Sequence, residues 1–401
     1  MSKALHLCEG DILCKPEERV YARSLTIVDG LVHAMNQPPP KSSRIIKLGG
    51  QCAIPGFIDS HLHLTLGASG LGDVDLRNAR SKEDFVSMLT AAAEGLQTGQ
   101  WLVASGWSDR TLGASPDRTW LSSLPDIPTI CFRMDLHTAV INDALIALLD
   151  TNRIANLPGG TLLHEGIIQE DALFDGVCSL IPPVSSIKSI ARAKQAIREM
   201  HGNGITQIGT MEEKREIEQV LVPLQRARMI RLRVMTLDSP THEMIAFCKT
   251  LASDPFLEVT GFKTFVDGSL GSRTAKMYDP WNDAKGDGGL TSIVEKGNLH
   301  SWAATVASSG FAPVIHAIGD RAVGIALDAI ESIDQTVVPR IEHAQFISDC
   351  DLPRVKDTWF GVQPLHQPDD AAIGERSVGT ERALQLHNWR RMIDANAKLS
   401  F

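Results

Sequence analysis

Residues 55–64, "PGFIDSHLHL", place two histidines one residue apart directly after a short apolar run. Residues i and i+2 of a β-strand point to the same side, so we expect His61 and His63 to project together. Imidazole nitrogens suit Zn²⁺, and two of them on one rigid strand lose little conformational freedom when they bind a metal. The pair alone is a weak signal, because two polar residues can also simply end a strand.

From residue 55 onward, apolar strands alternate with helical stretches, which is the pattern of a parallel α/β barrel. The first barrel strand is predicted in "GFIDSHLHL". Six more are predicted in "ITQIGTM" (205–211), "RLRVMTL" (231–237), "LEVTGFKTFVD" (257–267), "APVIHAIGD" (312–320), "RIEHAQFI" (340–347) and "WFGVQPLH" (359–366). The eighth strand is missing, so the first and seventh strands are expected to have unpaired edges.

Two domains are predicted, at residues 1–54 and 55–401. The first contains short alternating strands, and Asp-Gly at 29–30 and Gly-Gly at 49–50 indicate hairpins of a small β-domain. The second is the barrel, interrupted at about 80–195 by an inserted subdomain whose helices are predicted in "KEDFVSMLTAAAEGL" and "NDALIALLD". We expect this insertion to pack over one end of the barrel.

Composition limits the classes of function. A hydrophobic content of 43% supports a sizeable core, and the formal net charge of -9 argues against nucleic acid or a membrane surface as a partner. The seven cysteines are odd in number and form no Cys-X-X-Cys pair, which is typical of reduced thiols in a cytoplasmic protein. No apolar run is long enough to predict a signal peptide or a membrane span.

Two further histidines end predicted strands, His316 in "VIHAIGD" and His343 in "RIEHAQ". Barrel enzymes keep their active sites at the C-terminal ends of the strands. Four histidines at one rim therefore indicate a metal centre. The alternative is that His316 and His343 are core residues, bonded to backbone or to Asp320 and Glu342.

Lys263 ends the fourth predicted strand inside the otherwise apolar stretch "GFKTFVDGS". Burial would lower the pKa of its amine and favour the neutral form. A neutral amine can add CO₂, and the resulting carbamate is an anionic oxygen ligand able to bridge two metal ions. The alternative is an ion pair with Asp267.

The chain resembles the amidohydrolase superfamily, and within it the amidohydrolase-3 group that includes N-substituted formamide deformylases. The resemblance lies in "IPGFIDSHLHL", "FKTFVDGSLGSRTA", "HAIGDRAV", "RIEHAQFI" and "VQPLH", and in "SGWSD" (105–109) and "MDLHTAVINDAL" (134–145) of the insertion. It implies a (β/α)₈ barrel and a β-sandwich built from both chain ends, with residues 1–54 as its N-terminal part.

The resemblance also implies the site. Its metal ligands would be His61, His63, His316 and His343, with Lys263 as the carbamate bridge, and one or two Zn²⁺ ions or another divalent metal would be bound. Lys263, His316 and His343 would then also take part in catalysis.

Three residues are candidates for contact with the substrate. Arg273 lies in "DGSLGSRTA", whose glycines permit close approach of the backbone, although this loop could be purely structural. His137 and His366 are candidate donors to the substrate, and for each a surface or core role is the alternative.

The function implied is metal-dependent hydrolysis of a non-peptide carbon–nitrogen bond by a metal-activated water. A linear amide or N-substituted formamide would be the small-molecule substrate, and a homo-oligomer is compatible with the sequence. The family's strand-eight aspartate has no counterpart before Phe401. Two alternatives remain: a non-catalytic module for binding or assembly, and a hydrolase of an ester, lactone or phosphoester.

Overall fold

The computed structural model describes residues 4–96, 99–155, 157, 160–251, 254–334 and 336–401. The chain folds into two units. One comprises Met1–Phe57 with Gly204–Thr206, and the other comprises Ile58–Asn203 with Gln207–Phe401.

The first unit consists of short strands in two sheets. The strands are β1 (Ala4–Cys8), β2 (Asp11–Lys15), β3 (Val20–Ala22), β4 (Leu25–Val28), β5 (Leu31–Met35), β6 (Arg44–Lys47) and β7 (Cys52–Ala53). One sheet has the order β5-β4-β1-β6, and the other has the order β3-β2-β7.

Only one of the two predicted hairpins is present in this unit. Asp29 and Gly30, both at positive φ, join the antiparallel strands β4 and β5, which confirms the Asp-Gly turn. The hairpin predicted at Gly49 and Gly50 is wrong. Strand β6 pairs in parallel with β1 and β7 pairs in parallel with β2, so the two glycines carry the chain from one sheet to the other.

The segment between the first and second barrel strands contains a sheet of its own. Strand β8 (Phe57–Leu62) is followed by β9 (Val74–Asp75), β10 (Leu102–Trp107), β11 (Thr129–Arg133), β12 (Thr138–Ile141), β13 (Gly160–Leu162) and β14 (Ile167–Glu170). The six strands after β8 pair in the order β13-β14-β12-β11-β10-β9. Its helices are α1 (Leu64–Gly70), α2 (Lys82–Ala93), α3 (Asp109–Leu112), α4 (Asp143–Ile146) and α5 (Thr151–Ala155), so the two predicted helices are present, the second as a single turn.

Local chemistry explains the formation of helix α2 in this segment. The Ser81 side chain accepts a hydrogen bond from the Asp84 backbone N–H and caps α2, and acidic residues occupy the first turn. Phe85, Leu89 and Ala93, four residues apart, form its buried face. They pack with Trp107 of β10 into a core within the segment.

The barrel is an eight-stranded parallel sheet. After β8 come β15 (Ile205–Glu212), β16 (Arg231–Thr236), β17 (Leu257–Phe265), β18 (Ala312–Ala317), β19 (Arg340–His343), β20 (Trp359–Gly361) and β21 (Lys398–Ser400), paired in this order. The predicted α/β barrel and its seven strands are confirmed.

The prediction that the eighth strand is missing is wrong. Lys398–Ser400 pairs in parallel with β20, and Ser60 N of β8 donates a hydrogen bond to Phe401 O at 2.9 Å. The edges of the first and seventh strands are therefore largely covered. Three residues with one large apolar side chain, Leu399, are too short a pattern to be recognised as a strand from the sequence.

Further helices accompany the barrel strands, and the longer ones bury apolar residues. They are α6 (Ser186–Gly202), α7 (Lys214–Glu216), α8 (Val222–Ala227), α9 (His242–Thr250), α10 (Ser292–Glu295), α11 (Leu299–Ser308), α12 (Asp320–Glu331), α13 (Gln367–Val378), α14 (Thr380–Ala383) and α15 (Trp389–Asp394). In α12, Val323, Leu327 and Ile330 pack on Ile315 and Ile341, and each such side chain contributes roughly 1.5–3 kcal/mol through burial. Among the described residues, no helix is long and apolar enough to cross a membrane.

Candidate metal centre

The structure brings the four predicted ligands together at one rim of the barrel. His61 is the penultimate residue of β8 and His63 follows the strand directly, and His316 and His343 lie at the ends of β18 and β19. The centroid of the His61 ring is 5.9 Å from that of His63 and 4.7 Å from that of His343, which in turn is 4.5 Å from that of His316. Parallel strands end on the same side of a barrel, which explains why histidines far apart in sequence meet here.

One nitrogen of three of these rings is held by an acceptor. His61 Nδ1 lies 2.5 Å from Glu342 Oε2, His316 Nε2 lies 2.9 Å from Gly268 O, and His343 Nδ1 lies 2.6 Å from Gln363 Oε1. Histidines that ligate metals almost always donate their other N–H to a carboxylate, a carbonyl or water. Because the acceptors take these outer nitrogens, the second nitrogen of each ring is left with a lone pair for a ligand role.

The protonation state of the cluster also suits a metal. Burial, followed by the positive charge of Lys263, lowers the pKa of His61 to about 4 and that of His63 to about 3. Burial likewise holds the pKa of His316 and His343 well below 6.5. All four imidazoles are therefore neutral at pH 7, which is the form that binds metals.

The kinds of side chain in this cluster suit a metal ion, although their donor atoms do not converge on a single metal position. Across the part of the chain that the structure describes, no three His, Cys, Asp or Glu side chains form a group arranged to hold a metal ion. The fit rests on the kind of donors, on their neutrality and on the hydrogen bonds to their outer nitrogens.

Lys263 of β17 is buried beside the cluster. Its side chain has 3% exposure, and its Nζ has no hydrogen-bond partner among the described residues. Burial lowers the pKa of the amine to about 8 against the opposing charge of Glu342. Its charge in turn lowers the pKa of all four histidines.

The alternative ion pair between Lys263 and Asp267 is wrong. The Asp267 carboxylate accepts hydrogen bonds from the backbone N–H groups of Lys276, Ile318 and Gly319 instead. It approaches His316 Nε2 only to 3.8 Å. Asp267 therefore holds backbone N–H groups in place, and the Lys263 amine has no hydrogen-bond partner among the described residues.

The core-histidine alternative holds in one part, because His316 bonds to the backbone oxygen of Gly268. Neither Asp320 nor Glu342 is the partner of His316 or His343. Asp320 accepts hydrogen bonds from the backbone N–H groups of Tyr278 and Arg321. Glu342 binds His61 of the first strand. Burial alone would raise the pKa of Glu342, but His61, Arg340 and Lys263 together lower it to about 2, so the carboxylate is charged.

The two further histidine candidates also lie beside the cluster. The His137 ring is 5.4 Å from that of His316, and its Nδ1 is 2.9 Å from Glu170 Oε2. Burial alone would lower the pKa of His137, but Glu170 and then Asp135 raise it to about 9. The His366 ring stacks on His343 at 6.0 Å.

Arg273 is differently placed. Its guanidinium donates to both carboxylate oxygens of Asp283, at 2.8 and 2.7 Å, and to the carbonyl oxygens of Leu270 and Gly271. These bonds occupy the side chain within its own loop, which favours the structural alternative for this residue.

Several residues of the site were missed as functional candidates. They are Glu342, Gln363 and Glu170, which bind the rings of His61, His343 and His137, and Gln345, whose Nε2 lies 3.1 Å from His366 Nδ1. Glu342 and Gln363 stand at or just after the ends of barrel strands, and that position was the available signal. Nothing in the local sequence links Glu170 to His137.

Comparison with known proteins agrees with this architecture. Residues 44–401 match the model of the amidohydrolase family, Amidohydro_3. The Arabidopsis thaliana protein LONG AFTER FAR-RED 3 is 27% identical over 385 residues, which cover 88% of this chain and 66% of that protein. The N-substituted formamide deformylase of Arthrobacter pascens is 21% identical over 396 residues, which cover 89% of this chain and 71% of that protein.

A solved structure gives the same result. An uncharacterized metal-dependent hydrolase from Pyrococcus horikoshii OT3 superposes with a TM-score of 0.75 at 27% identity, over all of this chain and 82% of the other. The chain spans about two thirds of the length of the curated relatives it matches. The family match extends over most of the chain, and the chain belongs to the amidohydrolase family.

Proposed function

We propose that the chain hydrolyses a non-peptide carbon–nitrogen bond, in a linear amide or an N-substituted formamide, with the help of a bound metal. One observation carries the proposal: four neutral imidazoles meet at the C-terminal rim of the barrel, three of them with one nitrogen held by an acceptor, beside a buried amine that has no hydrogen-bond partner among the described residues. Membership of the amidohydrolase family supports the view that this chain is a metal-dependent hydrolase. So does its similarity to the solved metal-dependent hydrolase from Pyrococcus horikoshii. The name of the deformylase relative favours a formamide.

Each residue has a proposed role. His61, His63, His316 and His343 hold one or two divalent ions, for which Zn²⁺ suits the nitrogen donors best. Lys263, as an amine or as its carbamate, completes the set. When bound, such a metal supplies Lewis acidity, which lowers the pKa of water and polarises a carbonyl.

The residues around the ligands position them and the substrate. Glu342, Gly268 and Gln363 fix the orientations of three imidazoles. His137 and His366 lie on the substrate side and bind polar atoms of the amide. Arg273 contributes indirectly, because its guanidinium braces the loop that follows β17.

The remaining proposals concern the whole chain. All seven cysteines are free thiols, which supports a cytoplasmic location. We propose residues 1–54 as part of a β-domain and 55–401 as the barrel domain with its insertion. The partner is a small-molecule substrate rather than nucleic acid or membrane.

The test is a side-by-side assay of metal-loaded protein against N-substituted formamides, linear amides and esters, with bound metal measured on the same samples. We expect turnover of at least one formamide or amide. We also expect the double variant His61→Ala/His63→Ala to lose metal and turnover together, whereas His300→Ala, at an exposed site on α11, changes neither. Bound metal without turnover of any substrate would favour the non-catalytic alternative, and turnover of esters alone would favour an esterase.

A further inference from the structure

A segment of the insertion, residues 170–177, combines two uncommon backbone forms. Glu170, the last residue of β14, has φ of 51°, which few non-glycine residues adopt. The π-helical turn Ala172–Val177 follows directly. Both forms cluster at functional sites because each needs surrounding structure to maintain it.

The start of the 170–177 segment is joined to His137 at two points. The backbone N–H of Glu170 donates to His137 O at 3.2 Å, and its carboxylate Oε2 lies 2.9 Å from His137 Nδ1. The second oxygen, Oε1, is buried and has no hydrogen-bond partner in the described part of the chain. Because Glu170 takes Nδ1, the other ring nitrogen of His137 is left for a ligand.

The same carboxylate packs against the backbone that holds a candidate metal ligand. A Cβ atom added at Gly268 would lie 2.2 Å from Glu170 Oε1, and the Gly268 carbonyl oxygen accepts the hydrogen bond of His316. Glu170 is thus in contact both with His137 and with Gly268, whose carbonyl oxygen orients the candidate ligand His316.

The middle of the 170–177 segment contributes an apolar wall. The Phe174 ring meets His137 edge-on, with centroids 5.9 Å apart and an interplanar angle of 89°. Phe174 is nevertheless 42% exposed. An exposed aromatic face beside a buried imidazole that contacts His316 is a surface that an apolar group of a ligand would cover.

We propose that the 170–177 segment sets the substrate preference of the site, selecting amides with an aromatic or large apolar substituent. The substituent packs on Phe174, and the amide group is directed to His137, which Glu170 positions. The inference rests on the proposed function for the reaction, whereas the binding preference can be measured without turnover.

The segment also carries acidic residues, which suggest a competing occupant. Asp171 and Asp175 would favour a substituent with a positive charge. The Asp171 carboxylate, however, faces the Ser292 backbone N–H at 3.4 Å, whereas Phe174 faces His137. The aromatic ring of Phe174, and not the Asp171 carboxylate, therefore lies next to His137.

The experiment measures binding by calorimetry to the metal-loaded protein for three probes: N-benzylacetamide, N-methylacetamide and N-(2-aminoethyl)acetamide. We expect the benzyl compound to bind about tenfold more tightly than the methyl compound, because its ring adds buried apolar area. Phe174→Ala should reduce this ratio by about fivefold or more without changing the affinity for the methyl compound. Leu180→Ala, which removes an apolar side chain of equal 42% exposure from the next turn, should leave the ratio unchanged.

A second variant tests the positioning role of Glu170. In Glu170→Gln we expect the ¹⁵N chemical shifts of the His137 ring nitrogens to move, with the circular dichroism spectrum and melting temperature retained. Unchanged shifts would remove Glu170 from the proposal.

Several results would overturn the preference itself: equal affinity for the benzyl and methyl compounds, tightest binding of the aminoethyl compound, no measurable binding of the benzyl compound, or an unchanged ratio in Phe174→Ala. A preference that depends on Phe174 in a protein without turnover would uphold this inference while the proposed hydrolysis failed. Turnover of amides without any such preference would uphold the proposed hydrolysis and contradict this inference.

Discussion

At the scale of single residues, the site depends on the backbone as much as on the choice of side chains. His343 has φ of 73° and Ala344 follows with φ of 41°, a left-handed pair that non-glycine residues rarely form. Two hydrogen bonds accompany this conformation: Ala344 N donates to Ala317 O, and Gln363 Oε1 accepts from His343 Nδ1. Such strain persists where surrounding structure maintains it, here at the contact between His343 and His316.

Glu342 offers a test of the metal centre that leaves every proposed ligand in place. Glu342→Gln keeps the size of the side chain but removes the charge that orients His61 and supports its basicity. Loss of an outer partner of this kind typically lowers metal affinity about 10–100-fold. Competition with a chromophoric chelator would measure the affinity. Glu331→Gln, at an exposed position on α12, is the control, and equal affinities of the two variants would argue against a metal on His61.

Lys263 gives a second test at this scale. If its amine forms a carbamate, Lys263→Met should bind fewer metal ions per chain, and its metal content should not respond to bicarbonate. The parent protein should take up more metal when bicarbonate is present. Elemental analysis after dialysis would measure both. If bicarbonate does not change the metal content of the parent protein, and the protein incorporates no labelled CO₂, Lys263 acts as a plain amine.

At the scale of elements, the three-residue strand β21 has a large effect on the barrel. Strand β21 joins β20 on one side, and Phe401 O accepts the hydrogen bond of Ser60 N on the other. Leu399 packs against the cluster formed by α12 and the neighbouring strands. Without this strand, two strands with free N–H and C=O groups would be open to other chains.

Leu399→Ala tests the contribution of that strand. We expect it to lower the free energy of unfolding by about 1–2 kcal/mol, because Leu399 is only half-buried and the loss is below that of a fully buried leucine. It should also increase light scattering on heating. The neighbouring Lys398→Ala should change neither quantity by a comparable amount, since Lys398 is exposed. Chemical denaturation would measure the difference, and equal stabilities would mean that β21 does not close the barrel.

At the scale of the whole molecule, the sequence predicted those strands and site residues that a local, repeated sequence pattern marks. Seven strands follow from apolar runs, and four candidate ligands follow from histidines at the ends of those runs. The eighth strand escaped because three residues have no periodicity to detect. Glu170 and Gln363 escaped because their partners are distant in the chain, and only the fold shows which side chains meet.

Beyond the cluster, one buried carboxylate couples its surroundings to pH. Glu212, at the end of β15, accepts hydrogen bonds from Thr65 N at 3.0 Å and Thr210 Oγ1 at 2.6 Å, and Thr210 Oγ1 also accepts from Leu64 N. These contacts anchor the first turn of helix α1, which directly follows His63. Burial raises the pKa of Glu212 to about 7 against these hydrogen bonds.

The sign of the effect on stability follows from where the proton is held. The folded protein keeps the Glu212 proton to about pH 7, whereas the unfolded chain releases it near pH 4.5. Stability from this group is therefore complete below about pH 4.5 and is lost as pH rises through 7, by on the order of 3 kcal/mol. We expect Glu212→Gln to remove this loss, so that its advantage in free energy of unfolding over the parent protein grows from pH 5 to pH 8. Urea denaturation of the metal-free proteins would measure it, with the exposed Glu83→Gln as control. An advantage that stays constant across this range would mean that Glu212 is already ionised at pH 5 in the folded protein.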